Sequence, residues 1–525
     1  MTGRTHPASA LADALLRESA EDGWALLGPS VYETGRIVVD APWLAGHAAR
    51  LRYLCDEQAD DGGWGVAGFR LVPSLSATEA LLRIHRRRLD VDRVLPADEV
   101  SRRAAAGVRF LDAHLTEGHP LPDLVAVELV VPRLIDLINE HLRHLTAESP
   151  AALPAGVTGI VLRPPTDSDP ELLRRLRARA AAGQPLPKKL WHSWEILTPG
   201  GVCDPRVVMR DGNVGVSPAA TAAWLGGPPE PDHPAARYLH TVQQRCGGPL
   251  PVGAPMPYFE RSWILTILGA NAVPHTVPEK VLDSLEEAVG PDGAPAGPGL
   301  PVDADDTATV LLALQLNGRG QPLDPLMRYF DGERFFTYPE ERTPSPTANA
   351  HALEALAARV AHHPDERNRY APVQRATTRW LTGLQNADGS WDDKWHGSPY
   401  YATACCARAL AGYDDDHCRA AVERAVGWML GTRQAGGRWG HGTGTVEETA
   451  YAAGTLALSR SPQRATVVAD ALAAAARTLR DGRVDERATP LWIGKDVYTP
   501  VRIVRATCLA AAYRLGVLDG GRDGR

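Results

Sequence analysis

The sequence predicts an all-α fold of many short helices joined by tight turns, and three observations carry that prediction. Apolar residues recur at helical spacing in pieces of about three turns. Runs of strict period-two alternation are scarce. A Gln-Gly-Trp pattern recurs at a spacing that fits two helices and their connections.

In chain order, the periodic stretches are 171–182, 218–225, 307–316, 351–360, 375–384, 419–430, 447–458 and 467–479. Within 351–360, Leu353, Leu356, Ala357 and Val360 share one face; within 419–430 the face is Val422, Val426, Met429 and Leu430. Gly- and Pro-rich joints separate the stretches, in a chain with 49 Gly and 43 Pro. The repeat occurs at 58–64 (QADDGGW) and 385–391 (QNADGSW), with a shorter form at 434–439 (QAGGRW). The last two begin 49 residues apart, so each copy suits the joint of one helical hairpin in a stack that closes into a ring. There Gly permits a tight turn, the Gln amide can bond a helix end and Trp can cover the joint. Residues 285–301 (LEEAVGPDGAPAGPGLP) are dense in Gly and Pro. They suggest two helical domains, divided near residue 270, as befits 525 residues.

Composition narrows the function. The net charge is −7, which provides no basic surface for a nucleic-acid backbone. Hydrophobic residues at 44% and charged residues at 23% are globular proportions. The first residues lack a signal-peptide pattern, and the most apolar stretch, 124–138, is interrupted by Glu128, Pro132, Arg133 and Asp136, so no membrane span is expected. Seven cysteines without CxxC spacing point to neither disulfides nor zinc, and to a cytoplasmic location. Thirteen Trp and thirteen Tyr against six Phe give an excess of electron-rich rings that a site could use.

The strongest chemical signal is Asp303-Ala-Asp305-Asp306-Thr307, immediately before an apolar helix. One Asp would serve as a helix cap. Three within four positions repel one another, which keeps a proton on the cluster, while the helix N-terminus favours the ionised form. That combination describes a carboxylic acid able to give up its proton.

With this cluster and the Gln-Gly-Trp repeats, the chain resembles the bacterial class II terpene cyclases, copalyl-, terpentedienyl- and drimenyl-diphosphate-synthase-like, whose DxDD and QW motifs these residues match. The likeness continues through Lys188 with Trp191-His192, 217–225, 257–263, Asn349-Ala-His351, Lys394-Trp395, 398–401 and 491–504. It implies two α/α barrels in a βγ arrangement: a β domain from 1–24 plus 271–525, and a γ domain, 25–270, inserted between. Asp305 would protonate the terminal double bond of a linear isoprenyl diphosphate, farnesyl or geranylgeranyl, with Asp303 and Asp306 orienting it. A bicyclic diphosphate would result.

A carbocation needs ring faces that stabilise charge without bonding to it. Trp191, Trp194, Trp224, Phe259, Trp263, Trp395, Tyr400, Tyr401, Trp439, Tyr451 and Trp492 are available. No DDxxD stretch is present to ionise the diphosphate, so the product should keep it. Lys188, Lys394, Lys495 and Arg502 are the candidate anion partners, and Glu195 the candidate ligand for a Mg²⁺ beside the diphosphate. His192, His351, Asn349 and Tyr258 are the candidates for the base that takes the final proton. The expected partner is this small molecule, with neither nucleic acid nor membrane, and a homodimer is compatible. Two other readings are a squalene-hopene-type C30 cyclase and a non-catalytic toroid that binds a lipid or protein.

Overall fold

The three Gln-to-Trp turns fold alike. Each indole N–H donates to a carbonyl ten residues upstream: Trp64 to Leu54 at 2.6 Å, Trp391 to Leu381 at 2.9 Å, Trp439 to Met429 at 2.7 Å. Each Trp backbone N–H is received by a hydroxyl on the following helix, from Ser74, Thr403 or Thr449. The Gln amides of the first two donate twice, Gln58 to Gly62 and Arg103 and Gln385 to Gly389 and Ala421. The turn glycine two residues before Trp is left-handed in all three, with φ of 93°, 101° and 74° at Gly62, Gly389 and Gly437. A β-carbon on Gly389 would also sit 2.5 Å from the Arg424 carbonyl, so only glycine fits. Each joint thus ties a helix to the next.

These joints belong to two rings. The computed structural model describes residues 6–87, 95–148, 156–198, 204–230, 232–481, 484 and 488–519. In the larger ring six inner helices pack in succession: Pro257–Ala270, Ala304–Leu316, Pro346–His362, Pro399–Ala411, Val446–Leu456 and Val501–Arg514, the last returning to the first. Glu279–Ala288, Arg367–Gly383, Asp416–Gly431, Ala465–Asp481 and the N-terminal Pro7–Asp22 cover them from outside. In the smaller ring Val31–Asp40, Leu71–Arg87, Val127–Glu148, Trp194–Leu197 and Pro218–Leu225 close in the same way. The architecture is the expected pair of α/α barrels.

The domain boundary needs correcting. Helix Pro257–Ala270, expected in the inserted domain, contributes Phe259, Trp263, Ile264, Leu265 and Leu268 to the core of the larger ring. Leu250 packs instead with Ile37 and Leu239. The chain crosses between rings where Leu27 bridges Pro500 and Pro29 bridges Pro251, so the insertion runs from about 28 to 251. Residues 285–288 end helix Glu279–Ala288, and 289–301 are a loop inside the larger ring that delivers the chain to Asp303, with Ala294 bridged to Asp303.

One small hairpin joins the domains. Trp492–Ile493 pairs with Val497–Tyr498, and alternation sends Trp492 and Tyr498 into the larger core and Ile493 and Val497 into the smaller. Its tip is pinned by charge. Lys495 Nζ lies 2.6 Å from Glu33 and 2.8 Å from Glu195, while Asp496 accepts from Ser30 and the Tyr32 N–H. Among the described residues no helix is long and apolar enough to cross a membrane.

Candidate active site

Asp303 caps helix Ala304–Leu316, its Oδ1 accepting the Asp306 N–H at 2.8 Å. The capping expected of one Asp is therefore real, and it frees the other two. All three line a cavity of about 400 Å³ between the domains, walled by the larger ring, the 492–498 hairpin and the segments around 123–128 and 189–192. Burial, and then the charge of Asp305, push the Asp303 carboxyl up to about 6. Burial, then the charge of Asp303, raises Asp306 well above the carboxylate range, and its Oδ1 has no partner among the described residues. Asp303 and Asp306 thus hold protons to a higher pH than a free Asp does.

Asp305 is held differently. His351, one turn into helix Pro346–His362, places Nδ1 2.6 Å from Asp305 Oδ1. Burial works against charge on His351, but the charge and hydrogen bond of Asp305 prevail and raise the imidazole well above its ordinary value. An Nδ1–H donor on one carboxyl oxygen stabilises the carboxylate left behind when the other gives up its proton. Tyr338, unforeseen in sequence, donates its hydroxyl to Asp303 Oδ2 at 3.1 Å and lines the same cavity.

The wall is aromatic. Phe259, Trp263, Trp395, Tyr401, Trp492 and Tyr498 face the cavity with Tyr338. Trp263 stands edge-on to His351 at 5.5 Å, so the ring lies beside the acid. At the mouth are the cations Lys189, Arg342 and Lys394 and the carboxylates Asp123, Glu128, Glu340 and Glu341.

Of the residues chosen from sequence, Asp303, Asp305, Asp306, His192, Lys394, Trp395 and Trp492 come together on this cavity. Others are spent elsewhere. Lys495 and Glu195 form the buried pin of the hairpin: Glu195 Oε1 takes the Tyr32 hydroxyl and the Lys495 ammonium, and a dication would meet that ammonium at bonding distance. Arg502 bonds Asp22 at 2.7 Å and Glu260 at 3.2 Å, fastening the N-terminal helix to the ring. Trp439 is a fully buried joint, Tyr400 packs tilted against Trp428 at 4.6 Å, and Trp191 donates to the Leu186 carbonyl. Lys188 is exposed outside the cavity, and its neighbour Lys189 lines it instead. Trp194 and Trp224 pack in the smaller core.

The base candidates separate in the same way. His351 is engaged with the acid. Asn349 spends its amide on the backbone of Phe335 and Ser345, and half-buried Tyr258 packs against the larger core outside the cavity. His192 alone of the four lines the cavity wall with no role in the acid. Its Nδ1 donates to the Gly215 carbonyl at 2.7 Å, and burial, then the Lys495 charge, lowers the ring to about 3. It is a neutral imidazole with its Nε2 lone pair uncommitted to that bond.

Comparison with known proteins agrees with this fold. A family model described as the squalene-hopene cyclase C-terminal domain matches residues 342–484. The ent-copalyl diphosphate synthase of Streptomyces sp. (strain KO-3988) is 41% identical over 96% of this chain and 96% of its own. The terpentedienyl-diphosphate synthase of Kitasatospora griseola is 36% identical over 95% of this chain and 100% of its own. The solved ent-copalyl diphosphate synthase from Streptomyces platensis superposes with a TM-score of 0.91 at 42% identity, covering 98% of this chain and 100% of that one.

Proposed function

The chain belongs to the class II terpene cyclases that include the copalyl and terpentedienyl diphosphate synthases, and from that membership we propose that it converts geranylgeranyl diphosphate to a bicyclic copalyl-type diphosphate. The observation that supports the reaction is the Asp305–His351 pair on an aromatic cavity. Asp305 adds its proton to the terminal double bond, leaving a carbocation that two ring closures move along the chain. The π faces of Phe259, Trp263, Tyr401 and Trp492 stabilise it without offering a nucleophile. His192 Nε2 takes the final proton, and the C–O bond to the diphosphate is never broken.

The diphosphate sits at the mouth, where Lys189 and Arg342 meet it; Lys394, on the same cavity, is held by Glu341 and the Thr343 carbonyl, each at 2.7 Å. Arg342 bonds Asp123 at 2.5 Å and approaches Glu128 at 3.7 Å, so these two carboxylates converge on one point of the rim. Both are partly exposed beside an exposed Arg342 that can turn to the diphosphate, so they would suit Mg²⁺ as oxygen ligands, whereas the buried Lys495 cannot leave Glu195. Mg²⁺ held there would neutralise diphosphate charge. Lys189 and Arg342 at the mouth also give a diphosphate partners that squalene, which has no anion, could not use.

The test is to incubate the purified protein with Mg²⁺ and geranylgeranyl or farnesyl diphosphate, then treat with phosphatase and analyse the alcohols by mass spectrometry. A bicyclic C20 alcohol found only after phosphatase supports the proposal. A C15 product would move the substrate to farnesyl diphosphate, and hydrocarbon released without phosphatase would overturn retention.

A further inference from the structure

Glu447 is 4% exposed yet lines neither this cavity nor the one behind it. It does not cap its helix: Thr445 does that, with Glu448 as its partner. Its Oε1 instead receives three side-chain donors. Trp492 Nε1–H lies at 2.9 Å, the Tyr451 hydroxyl at 2.8 Å and His396 Nε2 at 3.3 Å. The direction of the last is set by the other ring nitrogen, because His396 Nδ1 accepts the Ser398 N–H at 3.1 Å and Nε2 must carry the proton.

These three rings enclose a fourth. Tyr401 stacks on His396 at 4.5 Å and 18°, and lies 4.9 Å from Trp492 and 5.3 Å from Tyr451. Tyr401 and Trp492 form a partition: they face the active-site cavity on one side and a second cavity of about 190 Å³ on the other. A ring with open space behind it lacks the packing that would fix it. Hydrogen bonds to one carboxylate can do so.

We propose that Glu447 is a positioning residue for the carbocation. Its carboxylate orients Trp492 directly and, through His396 and Tyr451, holds Tyr401, so that the partition presents electron-rich faces to the cation. An indole N–H donated to an anion gains electron density on its π face, and the low-dielectric surroundings extend the reach of that charge. Shielded by the rings, the carboxylate can neither bond to the cation nor take its proton. The proposal rests on the cyclase reading above.

Glu447→Gln keeps size and an acceptor oxygen but removes the charge. Its kcat should fall about tenfold with KM changed by less than about twofold. Monocyclic or hydroxylated diphosphates, quenched early, should join the product. Trp492→Phe, which deletes the donor and leaves Glu447 in place, should shift the product mixture the same way. The double variant should be no slower than the slower single one, since both remove one interaction. A wild-type product ratio in either single variant, or an additive loss in the double, overturns the proposal. Asp305→Asn run alongside separates the two levels: activity of the wild type with an inert Asp305→Asn and an unaffected Glu447→Gln removes this inference alone, while an active Asp305→Asn removes the cyclase reading.

Discussion

His351 Nδ1 approaches Asp305 Oδ1 to 2.6 Å, inside a cluster whose other two carboxyls are both raised, first by burial and then by a neighbouring charge, that of Asp305 on Asp303 and that of Asp303 on Asp306. The acid therefore has two kinds of neighbour. The aspartates keep protons in the cluster, and the imidazole stabilises the anion that forms when one leaves.

Removing that imidazole should slow chemistry and spare binding. His351→Ala is expected to lower kcat by about 10²-fold with KM nearly unchanged, as steady-state kinetics will show. A rise in KM with kcat intact would place His351 on substrate binding.

At the mouth the expected pattern is the reverse. Asp123→Asn and Glu128→Gln should each raise the Mg²⁺ concentration needed for half-maximal rate, by roughly tenfold, with smaller changes in saturating kcat. Glu195→Gln should leave that Mg²⁺ dependence where it is. Titrating Mg²⁺ in the four proteins distinguishes the rim from the buried pin.

The pin itself sets a pH dependence of stability. Burial pushes Glu33 up to about 7 from an ordinary 4.5, despite the opposing Lys495 charge. The folded state thus binds a proton that the unfolded state has released, so this contribution is full below pH 4.5 and is lost as pH rises through about 7. Relative to Glu33→Gln, the wild type should lose stability as pH rises across that window, measured by denaturant unfolding at several pH values. A difference that grows toward high pH would reverse the sign.

The Trp joints are predicted to be structural. Trp391→Phe deletes the bond to the Leu381 carbonyl and should cost about 1–2 kcal/mol, read from the denaturant midpoint, with the product unchanged. An altered product would give the joint a part in the chemistry.

Much of this was legible in the sequence because it depends on local pattern. The Gln-to-Trp turns need Gly, Gln and Trp at fixed spacing, and an Asp-rich helix start announces both a cap and an acid. Inner helices were harder to read: Leu71–Arg87 is buried almost throughout its length and so lacks a clean amphipathic stripe, and Val127–Glu148 carries Pro132, a residue that usually ends a helix. The least legible feature was which charges meet. Lys495 and Arg502 sit in apolar surroundings that suit an anion site, yet each is neutralised by carboxylates far away in sequence, Glu33 and Glu195 for one, Asp22 and Glu260 for the other. Lys189, beside the chosen Lys188, turns into the cavity through a 3₁₀ turn whose phase a single sequence does not reveal.

The central claim is that a proton, ultimately from solvent, is added by Asp305 while the diphosphate stays. Cyclisation in D₂O tests it most directly, with the product examined intact by mass spectrometry and NMR. The account predicts one deuterium, on the ring carbon next to the gem-dimethyl carbon, in a product that still carries its diphosphate, and no product from Asp305→Asn. An unlabelled cyclic product, or inorganic diphosphate released with it, would contradict the account.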